Sequence, residues 1–123
     1  MTTEIAAHAA TLAGGLRHDA GKTRLDLMPP EWIDALGQVL TKGAAKYADR
    51  NWENGMAWSK MVGCGMRHLM AFLRGERFDA ETGCHHLAHA AWNLLALMSY
   101  DVRAIGADDL PRAKTSPTME SRS

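Results

Sequence analysis

Residues 81–103 read ETGCHHLAHAAWNLLALMSYDVR, and their spacing decides the fold class. Leu87, Ala91, Leu94, Leu95, Met98 and Val102 recur at three- and four-residue intervals, the period of an α-helix with one apolar side. At about 100° per residue, Thr82, His86, His89 and Asn93 fall into a second, polar stripe that continues as Leu97 and Tyr100. A helix whose inward side changes from His and Asn to Leu predicts a polar pocket opening near residue 85 of a helical bundle. The competing reading of the same spacing is satisfied core histidines plus an exposed one.

Working outward, residues 59–74 carry Met61, Val62, Met66, Leu69, Met70 and Leu73 on a broad apolar face ended by Gly75, which predicts a second helix. His68 lies in its middle among apolar neighbours, where an unpaired polar group is costly. Its antiparallel neighbour would be the 81–103 helix, so His68 is expected to meet His86 or His89, as metal ligands or as a hydrogen-bonded pair. A third helix is expected over 30–48. Pro29-Pro30 suits a first turn whose N–H groups have no partner, Glu31 and Asp34 favour the positive helix end, and Trp32, Ile33, Leu36, Val39 and Leu40 share a face. NWENGMA at 51–57 breaks the pattern. No alternating β-branched segment and no fixed-period repeat stands out. The expectation is an all-α fold, a compact bundle of three main helices plus a short N-terminal helix or arm. Residues 1–15 would form that arm, 16–106 the helical domain with an extended strap over 16–30, and 107–123 a flexible tail rich in Asp, Pro, Lys, Thr and Ser.

At 123 residues the chain is long enough for one core. Fourteen basic residues balance fourteen acidic ones, so no field is available to hold a long polyanion and general DNA or RNA binding loses its simplest support. A small phosphorylated ligand remains compatible. Cys64 and Cys84 are the two cysteines and are expected to be free thiols in a reducing compartment. No basic start leads into an apolar run, and no stretch of about 18 apolar residues occurs. Cytoplasmic residence without membrane spanning is therefore expected.

Two motifs are decoys. Gly21-Lys22-Thr23 suggests a phosphate loop, but that motif needs a further Gly where Leu16 stands. His85-His86-Leu87-Ala88-His89 places two histidines four apart, yet His86 occupies the place of the glutamate that a zinc protease needs as general base.

Two constellations are better candidates. Glu76, Asp79 and Glu81 lie in the connection before the 81–103 helix, at the same mouth of the bundle as His68, His86 and His89. Carboxylates suit hard cations such as magnesium, and imidazoles suit zinc, manganese or iron; the plainer reading is a solvated acidic loop. Lys42, Lys46, Tyr47, Arg50, Asn51 and Trp52 follow the 30–48 helix into its terminal loop. Cations for phosphate, an amide for a base edge and an aromatic plane for stacking describe a nucleotide pocket. Cations at a helix C-terminus are also what the helix dipole favours.

DAGKTRLDLMPP at 19–30, KGAAKYADRNWENG at 42–55, Arg67-His68, and RGERFDAETGCHHLAHAAWN at 74–93 together resemble the phage-borne domain family named after a dATP/dGTP diphosphohydrolase. The likeness covers residues 16–103. It implies kinship with MazG-type all-α pyrophosphohydrolases, which cleave dNTP to dNMP and pyrophosphate with magnesium or manganese. Those enzymes hold their metals with Glu-Glu-x-x-Glu on one helix and Glu-x-x-Asp on another; this chain offers Arg67-His68 and His86-Leu87-Ala88-His89 at the corresponding places.

The resulting expectation is a pyrophosphohydrolase of purine dNTPs, dependent on Mg or Mn. Glu76, Asp79 and His68 are its catalytic candidates and Glu81, His86 and His89 its metal candidates. Lys22, Arg24, Lys46, Tyr47, Arg50, Asn51, Trp52 and Asn93 are the substrate-binding candidates. The alternative is a non-catalytic protein that sequesters a nucleotide or a nucleotide-derived defence signal. Four tryptophans and eight methionines leave much apolar surface for so small a core, so a homo-oligomer is expected.

Overall fold

The computed structural model of the chain describes residues 14–18 and 20–112. The N-terminal helix or arm expected over 1–15 lies outside these residues except for Gly14 and Gly15. Among the described residues the fold is all-α, built on three helices: α1 (Pro30–Lys46), α2 (Trp58–Leu73) and α3 (His86–Arg103). Two short 3-10 turns, Leu25–Leu27 and Asn51–Asn54, precede α1 and α2. Among the described residues no helix is long and apolar enough to cross a membrane.

α1 begins as its prolines predict, with Pro29 extended (φ −63°, ψ 137°) and Pro30 opening the helix. It ends at Lys46, two residues earlier than the periodicity suggests. Arg50 adopts a left-handed backbone (φ 58°) and turns the chain into the 51–54 segment, so Lys46 and Arg50 do not continue one helical face. α3 starts five residues later than expected. Residues 77–85 form a tight hairpin instead: Asp79 N–H donates to the Cys84 carbonyl, Gly83 N–H to Asp79, and His86 N–H to Arg77. Gly83, at φ +75°, supplies the left-handed corner of that turn. His85 then caps α3, its Nδ1 accepting the Leu87 N–H at 3.0 Å.

α2 and α3 pack as an antiparallel pair. Their pairing runs from Trp58 beside Ile105, through Met61 with Ala96 and Tyr100 and Gly65 with Ala90 and Asn93, to His68 against His86 and His89. Gly65 permits the close crossing, since a Cβ there would sit 3.4 Å from the Asn93 Cβ. α1 covers α3 through Val39, which is buried with Cys84 and Ala88.

The face of α3 turned inward is the one carrying His86, His89, Asn93, Ala96 and Tyr100. Much of the apolar stripe that announced the helix, including Leu94, Met98 and Val102, is exposed, as are Met66, Met70 and Leu73 of α2. The expected tail from 107 is docked at its beginning. Trp58 N–H donates to the Ala107 carbonyl at 2.9 Å, and the Asp109 carboxylate accepts from Ser59 N–H at 2.8 Å and Ser59 Oγ at 2.6 Å. A carboxylate some fifty residues away in sequence thus occupies the capping place that Ala57 cannot fill. Gly106 (φ +76°) makes this return possible, because a Cβ there would collide with the Met56 carbonyl oxygen.

Candidate metal centre at the open end of the helix pair

His68 on α2 and His86 and His89 on α3 converge where the 77–85 hairpin meets both helices. The Nδ1 atoms of His68 and His86 are 2.9 Å apart, so one must carry the proton that the other accepts. The rings of His68 and His89 stack at 4.3 Å with planes 9° apart. His89 Nε2 hydrogen-bonds Thr82 Oγ1 at 2.7 Å, and Thr82 donates both its N–H and its hydroxyl to Asp79 Oδ2 at 3.1 and 2.9 Å. Asp79 is also 3.7 Å from His89 Nε2, and Glu76 is 3.8 Å from His86 Nε2. The side chains of His86 and His89 are 8% and 11% exposed, whereas Glu76 reaches solvent. The cluster therefore has an inner wall of imidazoles and an outer carboxylate.

The electrostatics favour neutral imidazoles facing an ionised carboxylate. Burial pushes the His68 pKa down, with His89 and His86 adding to the effect against the opposing pull of Asp79. Burial likewise pushes His89 down, again opposed by Asp79. Asp79 has the opposite balance: burial would raise its pKa, but the hydrogen bonds from the Thr82 side chain and backbone outweigh it and hold the carboxyl below its ordinary value. Neutral imidazole and ionised carboxylate are the protonation states that bind metal ions. One ligand atom each from His68, Asp79 and His86 lies within 4.8 Å of the others. The donors fit one divalent ion; they lack the several anionic oxygens that two or three magnesium ions on a triphosphate require.

Of the expected site residues, the structure brings together His68, Glu76, Asp79, His86 and His89. Glu81 points elsewhere: its carboxylate pairs with Lys46 Nζ at 3.0 Å, which also engages a cation expected on phosphate. Asn93 is buried and its amide donates to the His89 carbonyl at 2.8 Å, so it serves the helix crossing. Trp52 sits at the far end of the pair. Its ring meets Trp92 edge-on and Tyr100 at a tilt, with centroids 6.2 and 6.1 Å away, and its carbonyl accepts the Tyr100 hydroxyl at 2.5 Å. Tyr100 lies eleven residues beyond His89 on α3, about 16 Å of helix. The Trp52 ring is thus engaged by the protein itself, with Arg103 5.5 Å above it. Arg50 and Asn51 share that distant loop and are exposed, as is Tyr47 at the end of α1. Arg24 is held by Asp26 through two hydrogen bonds of 2.8 and 2.7 Å, and lines a shallow cleft with Lys22. Thr82, which the site candidates omitted, is the residue that ties Asp79 to His89; its place in the polar stripe with His86 and His89 was the signal for it. On its other side Thr82 borders a groove against Gly37, Thr41 and Lys42 of α1.

The family profile described as dATP/dGTP diphosphohydrolase, N-terminal, matches residues 13–110. The chain belongs to this family. Within the dATP/dGTP diphosphohydrolase N-terminal family, one similar protein is the "dATP/dGTP diphosphohydrolase" of Salmonella phage PMBT28, 35% identical over 81 residues. That match spans 66% of this chain and 28% of the phage protein, so the chain corresponds to a minor part of that relative's length. No solved structure matches.

Proposed function

We propose that this domain acts on purine deoxynucleoside triphosphates, converting dNTP to dNMP and pyrophosphate with a divalent ion, Mg or Mn, at the histidine end of the α2–α3 pair. The observation that carries the reading is the convergence of three imidazoles and two carboxylates at one mouth of a domain whose family bears a dATP/dGTP diphosphohydrolase name. A divalent ion held there would supply the Lewis-acid polarisation that a phosphoanhydride needs. The chain's own residues supply the rest. Asp79, fixed by Thr82 and kept ionised, holds a negative charge towards the imidazoles. Glu76, beside His86 and open to water, is placed to accept a proton from an attacking water. Lys42 on the neighbouring groove offers a cation for the phosphates.

A second reading is favoured by one observation: the match covers 28% of the phage relative, so the reaction of that protein can belong to the remainder of its chain. On this reading the domain binds a nucleotide, or a nucleotide-derived defence signal, without cleaving it. The deciding experiment incubates the purified chain with dATP and dGTP and manganese, then separates products before and after heat denaturation. Steady formation of dNMP and pyrophosphate is expected. Intact nucleotide released only by heat would replace catalysis with binding, and detection of neither product nor bound nucleotide would overturn both readings.

A further inference from the structure

We propose that His68, His86 and Asp79 are the protein ligands of a single first-row transition-metal ion of the zinc class, bound in preference to magnesium. The inference rests on the proposed function for its location and departs from it in setting magnesium aside, yet it is tested without turnover. Three features of the geometry point to it.

The first is the spacing of the imidazoles. Two nitrogens each about 2.0–2.1 Å from one ion stand roughly 2.9–3.4 Å apart at the angles of octahedral or tetrahedral coordination. The His68 and His86 Nδ1 atoms are 2.9 Å apart, so both can meet an ion with little movement of either helix. Asp79, which offers an oxygen within 4.8 Å of one ring nitrogen each of His68 and His86, closes on the ion by a shift of roughly 1 Å or more, which a side chain on a hairpin turn can make.

The second is what surrounds the three ligands. Metal-bound histidines present their other ring nitrogen to a carboxylate, carbonyl or water that fixes the ring. The outward Nε2 of His86 faces Glu76 at 3.8 Å, His89 clamps the His68 ring by stacking at 4.3 Å, and Thr82 holds Asp79 Oδ2 while its hydroxyl also meets His89. A hydrogen-bonded histidine pair accounts for the contact between the two Nδ1 atoms, but not for a buttressed carboxylate beside it.

The third is donor chemistry. Magnesium takes oxygen ligands in near-octahedral order and keeps most of its water, whereas imidazole donors suit zinc, iron and nickel. Two imidazoles and one carboxylate, with a further position open to solvent, is the ligand count of a catalytic zinc site.

The test uses the whole chain, stripped with a chelator and titrated with Co2+ alone as a spectroscopic probe. One equivalent per chain is expected, with visible ligand-field absorption that a roughly hundred-fold excess of Mg2+ does not abolish. His68→Ala and Asp79→Asn, each checked for helical content by circular dichroism, should weaken Co2+ binding at least about tenfold. A measurement independent of variants is the NMR of the histidine rings, where Zn2+ should shift the signals of His68, His86 and His89 and leave His18 unmoved. No Co2+ bound, displacement by Mg2+, or wild-type affinity in a folded Asp79→Asn chain would overturn the inference. The two proposals fail separately: dNMP formation with Mg2+ alone removes the zinc-class ion and keeps the hydrolase, whereas Co2+ binding without turnover does the reverse.

Discussion

The two ends of the α2–α3 pair are made from the same pair of antiparallel helices and filled in opposite ways. At one end Met61, Ala96 and Tyr100 are buried beneath Trp52, Trp58 and Ile105. Tyr100 is 0% exposed, and its hydroxyl is matched by the Trp52 carbonyl. At the other end the inward positions are His68, His86 and His89, whose polar atoms are answered by one another, by Thr82 and by two carboxylates. Apolar burial at the tryptophan end stabilises the pair without further conditions. The histidine end depends on protonation state. The difference teaches that stability and chemistry are separated along the helices, with the tryptophan end holding the crossing that presents the imidazoles.

The strongest way to break this comparison is to remove the anchor. Tyr100→Ala leaves a cavity among Met61, Ala96 and Trp52 and should cost about 3–5 kcal/mol, read as a lower urea midpoint. A loss no larger than that of His89→Ala would show that the two ends contribute alike.

Acidification probes the other end, with a smaller effect. Burial depresses the pKa values of His68 and His89 in the folded chain below the ordinary histidine value of 6.5. Between the folded and unfolded values the unfolded chain binds more protons, so stability rises with pH in that window. The contribution is therefore present above 6.5 and lost as pH falls through the folded values. Chelator-treated protein should be less stable at pH 5 than at pH 7. A His68→Leu, His89→Leu double variant should flatten the dependence; an unchanged slope in that variant would assign it to other groups.

The smallest expected effect sharpens the tryptophan end. Asp109 is held below the ordinary aspartate value of 3.8 by hydrogen bonds from the Ser59 side chain and backbone, so it stabilises the start of α2 above that value and stops doing so as pH falls through its lower folded value. Asp109→Asn should reduce the melting temperature slightly at pH 7, and the two proteins should converge at pH well below 3.8. A constant offset at every pH would mean that the carboxylate charge is irrelevant there.

Much of this was legible in the residues. Pro29-Pro30, the three- and four-residue periodicities and Gly75 placed the three helices to within a few residues, because local backbone preference and period act over a single turn. The meeting of His68 with His86 and His89 was legible too, since a polar residue in mid-helix needs a partner and an antiparallel neighbour supplies one. Other features depended on contacts distant in sequence. Glu81 has the sequence context of a ligand but answers Lys46, and Trp52 has that of a stacking plane but packs on Trp92 and Tyr100. No spacing rule distinguishes a free aromatic face from one already covered. Asp109, placed in a tail by its composition, caps a helix fifty residues earlier.

The sequence by itself determined that three helices lie near 30–48, 59–74 and 81–103, that one polar stripe runs along the last of them, and which family the chain resembles. These follow from interactions within a few residues and from motif order. Only the tertiary structure decided which face of α3 turns inward. Periodicity marks every stripe, but Gly65, Ala90 and Ala96 let the helices approach along the stripe of His86, His89, Asn93 and Tyr100 and left Leu94, Met98 and Val102 outside. Close approach is a property of two surfaces together, and the small residues that permit it carry little hydrophobic signal of their own.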